Sequence, residues 1–331
     1  YFGFTLDLLR VLLSRSPAGV AIHADVPEPV ISQLPHWLGP DAARLLVHPV
    51  AAAITLRRSH RPPRRQGGCG ILEVVIWQGR FRFAQSERVA VIQDLTPLLM
   101  PEVHTAGNIG DFEDYVRYAV HHATRIATVS ASSQRDIINH LPVYPAHVHV
   151  IPMQVHPRFM ERAEPPSEEL RARLGIAGHY AMTVGTIEPR KNLRRLVDSF
   201  AQAATGAECG DLELVIAGPQ GWDSDLPSYV AAHACRSRIR LLGFVPPEDL
   251  PSLYAGASLF VYPSLYEGFG RPVLEAMCCG CLVLTSRVSA MPEVLGDAGL
   301  YFDPQHTDEV TLTLKEALRM RPERVAQLRG D

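Results

Sequence analysis

An α/β protein built on two doubly wound parallel sheets is the fold this sequence predicts, and three observations predict it. Short apolar, β-branched runs alternate with segments of helical composition, the order that builds a parallel sheet covered by helices on both faces. Several of these runs are continuously apolar, as strands buried on both faces are. A stretch without periodicity, 152–166, carries four prolines and separates two halves that each show the alternation. With 331 residues, each half has enough chain for its own core. The boundary is placed between Arg158 and Phe159, giving domains 1–158 and 159–331, with a ligand cleft expected where two such domains face each other.

In order, Tyr1 to Leu13 is apolar at helical spacing. It has neither a basic leader nor a cleavage site, so it reads as a first amphipathic helix rather than a signal peptide. Gly19–Ala24 and Arg44–Val47 read as short strands, and Arg57–Gly70 as an exposed loop. The basic run in that loop (Arg57, Arg58, Arg61, Arg64, Arg65) fits solvation better than contact with an anionic lipid or phosphate; the second reading keeps peripheral contact with a membrane surface open. Leu72–Trp77 and Arg88–Ile92 read as parallel strands. The second empties into Gln93-Asp94-Leu95-Thr96-Pro97, polar residues at the strand end where open α/β sheets take ligands. Helix Asp111–Ala123 and strand Ile126–Val129 follow. Ser130 then offers a hydroxyl cap to a helix that runs to His140. His147–Ile151 is a strand, and Ser167–Leu174 looks helical.

The second half repeats the pattern more cleanly. Its strands are expected at Tyr180–Val184, Leu212–Ala217, Ile239–Leu242, Leu259–Tyr262, Leu282–Thr285 and Gly299–Phe302. Helices are expected between them, including Leu193–Ala204, Leu226–Ala234, Pro247–Tyr254 and Pro272–Cys279.

Composition narrows the function. A formal charge of −3 argues against a strongly basic nucleic-acid surface. The six cysteines lack zinc or disulfide spacing and read as buried thiols of a reducing, cytoplasmic compartment. No apolar stretch is long enough to cross a bilayer. No G-x-G-x-x-G links a strand to a helix, which disfavours a nicotinamide enzyme, and neither the fourteen histidines nor the cysteines recur at metal-ligand spacing.

The richest stretch is Pro263 to Met277. A strand, a loop with Gly268 and Gly270, and a helix opening near Pro272 form a place where backbone N–H groups and the helix dipole meet an anion. Glu267 and Glu275 can serve only hydroxyls or cations. Phosphate-binding backbone beside hydroxyl-binding carboxylates points to a sugar nucleotide. In the same half, Arg190 and Lys191 lie just beyond Thr183-Val184-Gly185. They are placed to neutralise a departing diphosphate, the form of assistance that lowers a barrier most. Gly218 and Gly243 end two more strands.

These motifs together, Val184 to Asn192, Ala217-Gly218-Pro219-Gln220-Gly221-Trp222, Leu242-Gly243-Phe244-Val245 and Tyr266 to Met277, resemble the retaining GT-B glycosyltransferases of family four. These are also called group 1 glycosyltransferases, and the likeness is greatest to mannosyl- and rhamnosyltransferase types. Matching motifs cover most of 180–302, and a looser likeness covers 89–159. The resemblance implies the GT-B fold, two Rossmann-like domains about a central cleft, with the acceptor side in 1–158 and the nucleotide-sugar site in 159–331. It implies that Lys191 and Arg190 act on the diphosphate and that Glu267 contacts the donor sugar. Gly268, Phe269 and Gly270 would give N–H groups to the distal phosphate, Glu275 would hold the ribose, Val245 would read the base through its backbone, and Gly185 would line the site. Gln93, Asp94 and Ser130 would stand on the acceptor side. No metal and no cofactor are implied, since the cations take the metal's part.

Three departures stand out. The family commonly has His-Asp-Leu where Gln93-Asp94-Leu95 stands here, and an amide cannot titrate. Pro152-Met153-Gln154-Val155 replaces a common Asn-Gly pair, and both chain ends look clipped. The expected activity is retaining transfer of a hexose, mannose from GDP-mannose as lead, to a saccharide or lipid-linked acceptor in polysaccharide or glycolipid assembly. The expected location is the cytoplasm or the inner face of the membrane. The alternative is a protein of this fold that binds a nucleotide sugar without transferring it.

Overall fold

Two sheets organise the chain. The computed structural model describes residues 21–27, 45–50, 54–59, 71–76, 80–81, 87–320 and 322–329. The chain divides into two compact units between Gln154 and Val155. That is slightly earlier than the expected 158/159 boundary, because Val155 and Phe159 already pack into the core of the second unit.

The first unit contains β1 (Ala21–Pro27), β2 (Leu45–Val50), β3 (Ile54–Ser59), β4 (Ile71–Ile76) and β5 (Glu87–Val91), followed by α1 (Thr96–Leu99), α2 (Ala106–His122), β6 (Arg125–Thr128), α3 (Ala131–His140) and β7 (Val148–Val150). Its sheet runs β2-β1-β3-β4-β5-β6-β7. Strand β3 pairs antiparallel with both β1 and β4, and the other pairs are parallel. This corrects the exposed-loop expectation for Arg57 and Arg58: both lie in β3, with Arg58 opposite Ile22 and Leu72. The arginines and prolines that follow hid an Ile-Thr-Leu start of high strand propensity. The expected helix at Tyr1–Leu13 and the rest of the basic run lie outside the described residues.

Helix α2 begins well before Asp111, because the Thr105 hydroxyl accepts from the Asn108 N–H at 3.2 Å and caps it. Gly107 and Gly110 lower the helix propensity of that first stretch and concealed it. The helix is fixed to the sheet by Tyr115, whose buried hydroxyl donates towards the carbonyls of Val75 (3.1 Å) and Val91 (2.7 Å). Phe112, Ala90 and Ile126 complete this side of the core.

The second unit contains α4 (Glu168–Leu174), β8 (Tyr180–Val184), α5 (Leu193–Ala203), β9 (Glu213–Ala217), α6 (Leu226–Ala232), β10 (Ile239–Gly243), α7 (Leu250–Gly256), β11 (Leu259–Tyr262), α8 (Arg271–Cys278), β12 (Val283–Ser286), α9 (Met291–Leu295), β13 (Gly299–Phe302), α10 (Thr307–Arg319) and α11 (Pro322–Arg329). The sheet order is β10-β9-β8-β11-β12-β13, and every pair is parallel. Successive residues point to opposite faces, and both faces are covered. Leu214 and Ile216 join Leu196 and Phe200 on one side, while Val215 and Ala217 join Phe260 and Val273 on the other. The strand order reverses between β8 and β11. Ligands of open α/β sheets bind outside the carboxyl ends of the strands at such a switch point.

Candidate functional site

Both segments singled out from the sequence leave the sheet at this switch point. The chain after β8 makes a short 3-10 turn, Pro189–Lys191, and the chain after β11 makes the loop 263–270 that leads into α8. The proline presets the first dihedral of the turn. Asn192 then adopts left-handed geometry (φ 57°), which asparagine tolerates better than most residues, and opens α5. The two segments are stitched together. The Leu265 N–H donates to the Arg190 carbonyl at 2.9 Å, Arg190 Nη1 to the Tyr266 carbonyl at 2.7 Å, and Asn192 Nδ2 to the Pro263 carbonyl at 3.2 Å.

Inside this frame Glu267 is shared by two cations. One oxygen accepts from Lys191 Nζ at 2.6 Å and the other from Arg190 Nη1 at 2.7 Å. Arg190 also pairs through Nη2 with Glu188, and Lys191 Nζ donates to the Tyr262 hydroxyl at 2.6 Å. Lys191, Glu188 and Glu267 are all buried. Burial alone would raise the Glu267 pKa, but the charges of Arg190 and then Lys191 outweigh it and pull the carboxyl down to about 2. Burial draws the Lys191 ammonium below its usual value, with Glu267 opposing that pull. The Glu267 carboxylate and the Tyr262 hydroxyl, each 2.6 Å from Nζ, both favour the charged form of the amine.

The depressed Glu267 pKa has a consequence for acid stability. Its contribution is complete above the unfolded carboxyl pKa of 4.5 and is lost as pH falls through about 2. Wild-type protein is therefore expected to lose roughly 3 kcal/mol more than Glu267→Gln between pH 5 and pH 2, measured by urea unfolding. Parallel pH curves for the two proteins would show that the ion cluster does not form in solution.

Glu275 sits in a different set of contacts on α8. Its Oε2 accepts from the buried Tyr254 hydroxyl at 3.2 Å and its Oε1 from Arg271 Nε at 3.1 Å. Burial first, and then the Glu275 charge, push the Tyr254 pKa well above 10, so the phenol keeps its proton. Gly270 caps α8 with φ 96°, and a Cβ there would fall 2.1 Å from Cε of Met291 on α9, so position 270 takes no side chain without rearrangement. Gly268 is buried and Phe269 half-buried.

Across the adjoining strands, β8, β9 and β10 finish at Gly185, Gly218 and Gly243. The Gly185 N–H donates to the Ala217 carbonyl (2.9 Å) and the Gly218 N–H to the Gly243 carbonyl (2.8 Å), giving a side-chain-free shelf. The Val245 side chain is core, which leaves only its backbone to face a ligand, while Phe244 beside it is exposed.

The three residues expected on the acceptor side, Gln93, Asp94 and Ser130, lie in the first unit. Asp94 closes a turn by accepting from the Thr96 N–H (2.8 Å) and the Thr96 hydroxyl. Ser130 caps α3, accepting from the Ser133 N–H at 3.0 Å. Both residues therefore hold local structure. Gln93 differs: its main-chain carbonyl accepts from Thr128 Oγ1 at 3.2 Å, and its side-chain amide nitrogen is buried without a hydrogen-bond partner among the described residues. A buried donor without a partner costs about 1–3 kcal/mol.

Sequence reading missed Glu188, Tyr262 and Tyr254. Glu188 carried a signal, an acid two positions before a loop arginine. Tyr262 carried a weaker one, a polar tip ending an apolar strand. Among the described residues no three His, Cys, Asp or Glu side chains gather as a metal-ligand set.

Residues 167–329 match the family described as Glycosyl transferases group 1. Over 237 residues the chain is 37% identical to O-antigen chain mannosyltransferase B of Escherichia coli, covering 70% of this chain and 61% of that protein. Over 236 residues it is 28% identical to the serotype-specific mannosyltransferase WbdA of Escherichia coli, covering 70% of this chain and 29% of that one. The chain thus spans less than two thirds of either relative. Among solved structures, WaaG, a glycosyltransferase involved in lipopolysaccharide biosynthesis, superposes with a TM-score of 0.61 at 20% identity, over 72% of this chain and 68% of that one. Anabaena HepE in complex with UDP and glucose gives 0.61 at 21% identity, over 74% and 65%.

Proposed function

The chain belongs to the group 1 glycosyltransferases, with the GT-B fold and mannosyltransferase relatives, and on this premise we propose that it moves a hexose from a nucleotide-diphosphate sugar to a saccharide or lipid-linked acceptor with retention. The observation that carries the reading is the cluster at the switch point, where Lys191 and Arg190 share Glu267 beside the glycine-capped start of α8. In the proposed step the bond from the anomeric carbon to the phosphate oxygen breaks and a bond from that carbon to the acceptor oxygen forms. The acceptor's proton passes to the leaving diphosphate on the same face. Lys191 and Arg190 stabilise the growing charge on that diphosphate without a metal or cofactor. No enzyme base is required, so an amide at Gln93 is compatible with transfer.

Glu267 would take hydroxyls of the donor sugar and Glu275 those of the ribose, with the phosphates at the 268–270 backbone and the base over the shelf at Gly185, Gly218 and Val245. The mannosyltransferase relatives support mannose as the sugar; GDP-mannose is the lead donor by the sequence resemblance, while HepE, a neighbour in fold, is in complex with UDP. No helix among the described residues is long and apolar enough to cross a membrane. A lipid-linked acceptor would place the work at the inner, cytoplasmic face of one.

Calorimetry with GDP-, UDP- and dTDP-sugars, followed by hydrolysis and transfer assays, tests the reading. Expected is saturable binding of one donor, GDP-mannose first, with slow hydrolysis that acceptor converts to transfer. Binding without hydrolysis or transfer to any acceptor would favour a nucleotide-sugar-binding protein of this fold, and no binding at all would remove the reading.

A further inference from the structure

Two of the 32 lysines and arginines are lysines, Lys191 and Lys315. A chain that otherwise relies on arginine has a lysine at the switch point, and the geometry gives a reason. An ammonium has three N–H bonds in tetrahedral directions, whereas a guanidinium presents a planar fork. Two of the three bonds of Lys191 are engaged, with Tyr262 Oη and Glu267 Oε1, each at 2.6 Å. Two fixed directions on a tetrahedral centre determine the third.

Tyr262 is built to hold its part of this arrangement. It is 1% exposed and ends β11, and its carbonyl accepts from Thr285 Oγ1 at 2.9 Å. Its ring stacks on Phe260, with centroids 5.8 Å apart and planes 22° apart. Burial first, and the Glu267 charge second, push its pKa well above 10, so it remains a neutral phenol. A neutral acceptor holds the ammonium without cancelling its charge, as another carboxylate there would.

We propose that the Tyr262 hydroxyl is a positioning residue for Lys191, aiming the third N–H of its ammonium and helping to keep the group charged. The positioning stands on the contacts alone; that the third N–H meets the donor diphosphate rests on the function proposed above. The charged and titratable groups facing Lys191 are Glu188 and Arg190 from its own turn, Glu267 from the following loop, and Tyr262 from β11. The β8 residues beside it, Thr183, Val184 and Gly185, carry none.

Tyr262→Phe removes the hydroxyl and keeps the ring. With Lys315→Arg as background, ¹⁵N-lysine labelling leaves one side-chain signal, that of Lys191, whose titration is followed in the donor-free protein. Expected for Tyr262→Phe is a downward shift on the order of one pH unit, because the charged form loses an acceptor. Turnover should fall roughly 10–100-fold with a smaller change in donor KM, and the alkaline limb of the pH profile should move down. Phe260→Leu loosens the ring stack but keeps the hydroxyl, so it should lower thermal stability without shifting the titration. An unmoved Lys191 titration in Tyr262→Phe, or equal shifts in both variants, overturns the proposal. Should no donor bind, the titration still decides the role of Tyr262, and only the transfer reading fails.

Discussion

Lys191→Met is expected to lower the proposed transfer by a factor on the order of 10²–10³ at saturating donor, the scale set by removing one preorganised donor from a developing oxyanion. Methionine fills most of the volume of the lysine stem, so the loss reports the charge. The substitution also has a folding cost. It leaves Glu267 in the interior with Arg190 as its remaining cation, and breaking a buried ion pair costs about 3–5 kcal/mol when nothing else compensates. Arg190 compensates in part, so the expected loss lies at or below the low end of that range. Turnover is therefore compared with wild type at a temperature well below both melting transitions. Undiminished turnover in folded protein would remove Lys191 from the chemistry and with it the main support for the proposed leaving-group role.

Gly218→Ala should be the most disruptive single methyl on the shelf. A Cβ there would lie 1.9 Å from the Gly185 carbonyl oxygen, and the residue sits at φ 152°, where side chains are rarely accommodated. The obstacle is backbone, which cannot swing aside as a side-chain tip can. Relief requires β8 and β9 to part where both empty into the site. The expected destabilisation is about 3 kcal/mol or more, a fall in Tm of roughly 6–12 °C for a domain of this size. Gly175→Ala provides the contrast: φ is 66°, but nothing lies within 4 Å of the added carbon, so only the left-handed penalty of about 1 kcal/mol applies. Equal melting temperatures for the two variants would contradict the close approach of the strand ends.

The parts of this fold that were legible in the sequence are those where local pattern and burial agree. Strands at Tyr180–Val184, Leu259–Tyr262 and Gly299–Phe302 fall where the largely apolar runs place them; the first two are buried almost throughout, and the edge strand at 299–302 is half-buried. Strand β3 was obscured because its arginines read as a charge run; two-sided strand pairing, a long-range property, decided the matter. At the site, Arg190, Lys191 and Glu267 could be named from composition and loop position, and the structure joins them. Their partners could not. Glu188 and Tyr262 matter only through where the turn and the strand end meet, 71 positions apart for Lys191 and Tyr262. Ser130 is the helix cap that its sequence position predicts, and Asp94, at a strand end where ligands are often met, also closes a local turn.

The switch-point cluster sets two buried carboxylates, Glu188 and Glu267, against two cations, Arg190 and Lys191, within contact distance of one another. Such a quartet has almost no field beyond its own diameter, since opposite charges a few ångströms apart cancel at range. It cannot draw a phosphate in from solution, and it gives free inorganic phosphate little reason to stay. On the proposed function, capture of a donor would then rely on the backbone N–H groups at 268–270 and on the glycine shelf with its exposed Phe244 more than on the quartet. On the same reading, attraction would appear when the donor's hydroxyls engage Glu267 and leave the two cations partly uncompensated, so that the sugar to be moved would itself expose the charge that assists departure.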